Sequence, residues 1–174
     1  GLSAVLIAKL SGAREIIVID SHVNRLAVAK QLGATASVSL KDRPEERRRQ
    51  IYDRVGSNGP DIVVEAAGVL QAFPEGVDIS GKHGRYVILG LWGAIGTQPI
   101  SPRDLTLKNL TIAGATFPKP KHYHAALQTA ARLQNEVPLA SLVTHRYGIS
   151  GAAAALEATA KGRVIKAVID PTID

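Results

Sequence analysis

Asp20 closes a short apolar run, Glu15-Ile16-Ile17-Val18-Ile19-Asp20, and follows Gly1, which opens a helical segment. A carboxylate at a strand end can accept hydrogen bonds from a pair of hydroxyls, such as the two of a ribose. A glycine turn that enters a helix, with an acid about 20 residues on, is the spacing of dinucleotide-binding folds. The same carboxylate repels a 2′-phosphate, so Asp20 favours NAD over NADP. Two other readings stay open for it: a simple turn acceptor, or the ribose ligand of S-adenosylmethionine in a methyltransferase.

Further residues with chemical potential gather at comparable places. Arg25 lies one helical turn beyond Asp20, where it could cover an adenine face or meet a phosphate. Gly68 follows Val64-Glu65-Ala66-Ala67, and Gly90 follows Leu89, each just past an apolar run. Small residues there admit a ring close to the backbone, or simply make a tight turn. His122 and His124 form His-x-His, but on a helix residues two apart face away from each other, which argues against a metal pair. His22 reads as a surface-loop residue, with the lining of an adenine pocket as the alternative, Arg47-Arg48-Arg49 as a solvated helix face, and Trp92 as a packing residue near a cofactor crevice or an interface.

The elements that must position these residues alternate. Apolar runs are expected as strands at 15–20, 36–40, 61–65, 84–89, 110–113, 142–147 and 164–169. Helices are expected at 2–10, 24–32 (Leu26, Ala27, Ala29 and Leu32 facing inward), 44–55, 70–79, 122–134 and 150–159, the last capped by Ser150. Residues 90–102 are rich in Gly and Pro and read as loop, with a short edge strand at Thr97–Ile100. Strands alternating with helices predict a parallel sheet in an α/β fold whose ligand crevice lies at the strands' carboxyl ends.

Composition agrees. At 174 residues one domain is expected, and 45% apolar with 21% charged residues is ordinary for a globular chain. The excess of Lys and Arg over Asp and Glu, 21 against 15, gives +6, but five of the 21 basic residues sit between Arg43 and Arg54, where Tyr52 is the one aromatic. That is a poor surface for stacking bases, so no nucleic-acid partner is expected. There is no cysteine, which excludes disulfides and thiolate metal sites within the chain. No apolar run approaches the roughly 20 residues of a membrane span. The sequence also lacks methionine, and Gly1 stands in mid-motif, so the chain is expected to be a fragment.

Several collinear segments carry a resemblance: Gly1 to Val5, Ala13 to Asp20, Arg25 to Ala27, Leu32 to Ala34, Asp61 to Gly68, Gly84 to Gly90, Lys108 to Gly114, Val143 to Tyr147, and Ile165 to Ile169. Together the chain resembles the cofactor-binding half of the medium-chain dehydrogenase/reductase superfamily, zinc-containing alcohol dehydrogenase branch. The resemblance implies a Rossmann-like, doubly wound parallel sheet whose first strand and most of whose glycine turn are missing. It implies residues 1–174 as one NAD(P)-binding fragment, with 118–174 packing on or returning to an absent catalytic domain. Gly1 would be the last glycine of the phosphate turn, with Asp20 on the adenosine ribose and Arg25 beside it. Ala66, Ala67 and Gly68 would border the ribose and nicotinamide. Leu89, Gly90 and Leu91 would offer backbone groups to the carboxamide, Phe117 would meet the nicotinamide, and Lys166 the pyrophosphate.

No catalytic residue and no metal ligand is expected within this chain; zinc is expected in the parent, as are a small alcohol or carbonyl substrate, a cytoplasmic location, and a homodimer or homotetramer formed by sheet extension near Thr97–Ile100. A zinc-independent quinone or enoyl reductase of the same superfamily, and a non-catalytic nucleotide-binding module, remain as alternatives.

Overall fold

The computed structural model describes residues 1–90, 96–137 and 139–173, which form two compact units, Gly1–Phe117 and Pro118–Asp174. In the first unit, helix α1 (Leu2–Leu10) leads to strand β1 (Ile17–Asp20), α2 (Val23–Leu32) and β2 (Ala36–Ser39). Helix α3 (Pro44–Val55), β3 (Ile62–Glu65), α4 (Ala72–Ile79), β4 (Arg85–Ile88), α5 (Pro102–Lys108) and β5 (Thr111–Gly114) follow. All pairings are parallel. β1 and β2 form one ladder, aligning Asp20 with Ser39. β3, β4 and β5 form another, aligning Glu65, Ile88 and Gly114. Parallel strands need crossovers, and the helices supply them. The two ladders are hydrogen-bonded separately rather than as one continuous sheet.

One apolar cluster serves both ladders. Val38, Ile51 and Ile79 are buried, and Ile17, Ile19, Tyr52, Val55 and Val63 pack around them. Strands β1, β2 and β3 are therefore tied to α3 and α4 by one set of β-branched and aromatic contacts, and their carboxyl ends are held by the same core.

Helix α3 shows why local sequence gives local structure. Pro44 occupies the first turn, Glu45 and Glu46 sit near the positive end of the helix dipole, and Arg54 lies near the negative end. The Arg47-Arg48-Arg49 run, however, is not a uniformly solvated face. Arg47 is only 6% exposed. Its Nε and Nη2 donate to Oε1 and Oε2 of Glu75 on α4, both at 2.6 Å, and its Nη1 donates to the carbonyl oxygens of Leu40 and Asp42. The guanidinium thus closes the β2–α3 turn onto α4, a role fixed by a residue 28 positions away and invisible in the charge run itself.

Other expectations also change. Residues 97–100 form no strand, and a helix absent from the sequence reading, α5, begins just beyond them. Ser101 Oγ accepts the N–H of Asp104 at 3.3 Å, and Pro102 takes the first turn. Ala27 is exposed, because the buried stripe of α2 runs through Ala29 and Leu32 instead. Trp92 lies outside the described residues.

The second unit comprises α6 (Pro120–Leu133), a short 3-10 turn (Leu139–Leu142), β6 (Val143–Tyr147), α7 (Ala152–Ala160) and β7 (Lys166–Ile169). β6 and β7 pair in parallel, with an irregularity between Val143 and His145. The cap position of α7 is Gly151 rather than Ser150. His122 Nδ1 accepts the N–H of Lys119 at 3.1 Å, so this ring closes the start of α6. No group of three or more His, Asp or Glu side chains among the described residues could hold a metal ion.

Candidate functional site

The carboxyl ends of β1, β3 and β4 carry the residues of interest. Asp20 ends β1, and its side chain is 25% exposed. Its Oδ1 accepts the backbone N–H of His22 at 2.8 Å and lies 3.0 Å from His22 Nδ1. The carboxylate is therefore held in place by the turn that follows it while remaining open to solvent. His22, expected as a plain loop residue, is the group that orients it. Arg25 enters α2 with its backbone N–H bonded to Asn24 Oδ1 at 2.9 Å.

At Gly1, helix α1 begins with no side chain capping it. Desolvation holds the Gly1 α-ammonium below its ordinary value, and the charges acting on it are Glu65, Arg25 and Asp20. The start of α1 thus lies within the fields of two strand-end acids and the arginine. It also lies beside the β3 turn: a Cβ added at Gly1 would sit 3.8 Å from the Cβ of Ala66.

The turn after β3 is built on Glu65. This side chain is buried, 5% exposed, and its Oε1 accepts the N–H groups of both Ala67 and Gly68 at 2.7 Å. Its backbone carbonyl accepts the N–H groups of Leu89 and Gly90, at 2.8 and 3.1 Å. One residue therefore fixes the strand-end turns of both β3 and β4. Gly68 adopts φ +69°, the left-handed region that favours glycine. Gly90 has no room for a side chain, since a Cβ would meet Glu65 Oε2 and come within 2.5 Å of Gly68 N. At Gly68 and Gly90 the geometry is that of the tight turn, the second of the two sequence readings, since Glu65 and Gly68 take the space beside Gly90.

Below this turn, Tyr86 is fully buried and donates its hydroxyl to the Ala72 carbonyl at 3.1 Å. Burial pushes its phenol well above the ordinary tyrosine range, and the Glu65 and Glu75 carboxylates add to that. A cavity of about 410 Å³, bounded by Phe73, Ile88, Gly90 and Gln98, opens at the carboxyl end of β4. A hollow of about 480 Å³ lies elsewhere, on the charged α3–α4 surface between Arg48, Arg49, Tyr52 and Asp78, away from every strand end.

Gly1, Ala66, Ala67, Gly68, Leu89 and Gly90 are thus brought into one neighbourhood, with Asp20 and Arg25 coupled to it through Gly1. Phe117 lies beyond the carboxyl end of β5, is 87% exposed, and has a strained φ of +50°. Leu91 lies outside the described residues. Lys166 opens β7 in the second unit and is exposed. Glu65 went unremarked in the sequence, where a closing acid in Asp-Ile-Val-Val-Glu looks like an ordinary strand end; the only signal was its likeness in position to Asp20.

Parallel α/β ladders with a carboxylate at one strand end and a glycine-lined turn at another share the architecture of nucleotide-binding α/β folds. The chain belongs to the zinc-binding dehydrogenase family, whose model matches residues 1–132. It is 62% identical, over 99% of its length, to a 5-exo-hydroxycamphor dehydrogenase of Pseudomonas putida, of which it covers 48%. Among solved structures it is similar to an alcohol dehydrogenase of Thermotoga maritima, with TM-score 0.87, 30% identity and coverage of 97% of this chain and 46% of that one. It is also similar to a protein of Sinorhizobium meliloti 1021 described as a zinc-binding dehydrogenase and bound to NADP, with TM-score 0.82, 25% identity and coverage of 98% and 49%. The chain therefore spans about half the length of the relatives it matches. No helix among the described residues is long and apolar enough to cross a membrane.

Proposed function

We propose that the chain is the cofactor-binding part of an NAD-dependent, zinc-dependent alcohol or polyol dehydrogenase, acting in the parent on a small alcohol or its carbonyl product. The observation that carries this reading is the Asp20 carboxylate, held at the β1 end by His22 and left partly exposed to solvent. Asp20 would accept from the adenosine ribose hydroxyls, with Arg25 beside it. The first-turn amides of α1 would meet the pyrophosphate. The Ala66–Gly68 turn, Leu89, Gly90, Leu91 and Phe117 would border the nicotinamide. Bound NAD supplies the hydride acceptor; these residues bind and orient it. Zinc would be held by the parent outside this chain, and no step is assigned to it.

The dehydrogenase names of the relatives favour this reading over a zinc-independent reductase or a non-catalytic module. Asp20 favours NAD over NADP by charge, even though one structural relative holds NADP. A homodimer or homotetramer would form by extension at β5, which among the described residues pairs only with β4. A cytoplasmic location accords with this chemistry.

Calorimetry of NAD and NADP against the 174-residue chain and Asp20→Ala tests the reading. NAD should bind more tightly than NADP. Loss of a charged hydrogen-bond acceptor, worth about 1.5–3 kcal/mol, should weaken NAD by an order of magnitude or more and close the gap between the two. Tighter binding of NADP by the unaltered chain would overturn the assignment of Asp20.

A further inference from the structure

The Asp20 carboxylate does not stand alone at the end of β1. His22 Nδ1 lies 3.0 Å from Asp20 Oδ1 and 3.1 Å from Ser21 Oγ, and the His22 backbone N–H donates to the same Oδ1 at 2.8 Å. An ionised carboxylate only accepts, so the ring contact needs a proton on Nδ1. One neutral tautomer already supplies it, which leaves Nε2 as the nitrogen that takes up a second proton. The His22 side chain is 36% exposed, so solvent reaches the ring. Imidazole is the side chain that ordinarily changes charge between about pH 5 and 8. With the ring neutral the pair carries one negative charge, and with the ring protonated it carries none. The bonds to Oδ1 are the same in both states.

We propose that Asp20 and His22 discriminate between cofactors as one unit, and that His22 is the specificity-determining residue that makes the choice of NAD over NADP depend on pH. The proposal rests on the reading of Asp20 as the ribose acceptor. The measured contact bounds the separation that matters: a hydroxyl bonded to Oδ1 at about 2.7 Å lies within about 6 Å of Nδ1. In NADP a phosphate takes the place of such a hydroxyl. A positive ring at that range offsets the repulsion between the carboxylate and the phosphate. NAD carries no charge there, so its affinity changes little. The other charged groups around the pair are Arg25 on α2, the Gly1 ammonium at the start of α1 and, coupled to Gly1, Glu65 at the end of β3. Desolvation holds the Gly1 ammonium below its ordinary value, so it too responds to pH, but it does so equally in the chains compared below.

The test is the ratio of dissociation constants, NADP over NAD, measured by calorimetry at about pH 5.5 and about pH 8 on the 174-residue chain and on His22→Asn. Asparagine offers an amide donor in place of Nδ1 and does not titrate. The 2′-phosphate itself gains a proton near about pH 6, so the ratio falls at the lower pH in both chains. The unaltered chain should show a fall about fivefold greater than His22→Asn, the effect of one solvent-screened charge, while its NAD affinity stays within about twofold. A merely structural His22 would weaken NAD and NADP together in the variant and leave the two pH responses alike. Equal falls in the two chains, or a greater fall in His22→Asn, overturn the proposal. His22→Gln, which also lacks the charge, gives the same comparison if His22→Asn does not fold. Failure of both dinucleotides to bind the unaltered chain, or tighter binding of NADP than of NAD at the higher pH, would instead overturn the reading of Asp20, and this proposal with it.

Discussion

Replacing Arg47 with Ala should be the most damaging single change in the first unit that leaves the strand-end residues untouched. The guanidinium makes a two-point bond to Glu75, at 2.6 Å on each arm, and bonds two carbonyls of the 40–42 turn. Hydrogen bonding to Glu75 raises the Arg47 pKa further above its ordinary value, so the guanidinium stays charged. Removing one member of a buried ion pair typically costs about 3–5 kcal/mol, because the other charge is left without compensation. The Glu75 side chain is 19% exposed, which brings the expected loss toward the lower end, about 3 kcal/mol. With a urea m-value of about 1.5 kcal/mol/M for a unit of this size, the midpoint should fall by about 2 M. Far-UV circular dichroism in urea reads this directly. Arg47→Lys should recover only part of the loss, since an ammonium cannot span both carboxylate oxygens and both carbonyls. The double change Arg47→Met with Glu75→Leu should be far milder than Arg47→Ala, because no charge is stranded. A loss below about 1 kcal/mol for Arg47→Ala would refute the view that this pair ties α3 to α4.

Two further outcomes follow from the same geometry. Gly90→Ala should destabilise the first unit by about 1–3 kcal/mol, because the new methyl meets Gly68 backbone atoms that cannot swing away; denaturant unfolding checks it. Tyr86 is harder to ionise folded than unfolded, so its contribution is fully present below the ordinary tyrosine value near 10 and is lost as pH rises beyond it. Stability should therefore fall with a slope of up to about 1.4 kcal/mol per pH unit above that point, and Tyr86→Phe should remove this part of the slope, as alkaline urea titrations would show.

The parts of this fold that were legible in the sequence are those set by local pattern. Runs such as Ile16 to Ile19 and Val63 to Val64 mark strands by β-branching, and each described strand overlaps an expected one. Asp20, Gly68 and Gly90 stood out because punctuation at a strand end is itself local. What was not legible depends on distant partners. Arg47 looks solvated until Glu75 is folded against it, and Glu65 looks like any terminal acid until its turn curls back to place two amides on one oxygen. Helix α5 is the exception, since Ser101-Pro102 with Asp104 is a readable helix start that the surrounding Gly and Pro obscured. The edge strand at 97–100 failed for the converse reason: Pro99 stands within the four residues and Pro102 just beyond them, and neither can donate to a ladder.

The most direct test of the central claim is to ask where NAD lands. Backbone amide shifts of the labelled 174-residue chain, recorded with and without NAD, answer this residue by residue. The account predicts the largest changes at 2–4, 20–25, 66–68 and 89–90, at the carboxyl ends of β1, β3 and β4. Changes confined to Glu45, Arg48, Arg49, Tyr52 and Asp78, around the charged hollow on α3 and α4, would contradict it.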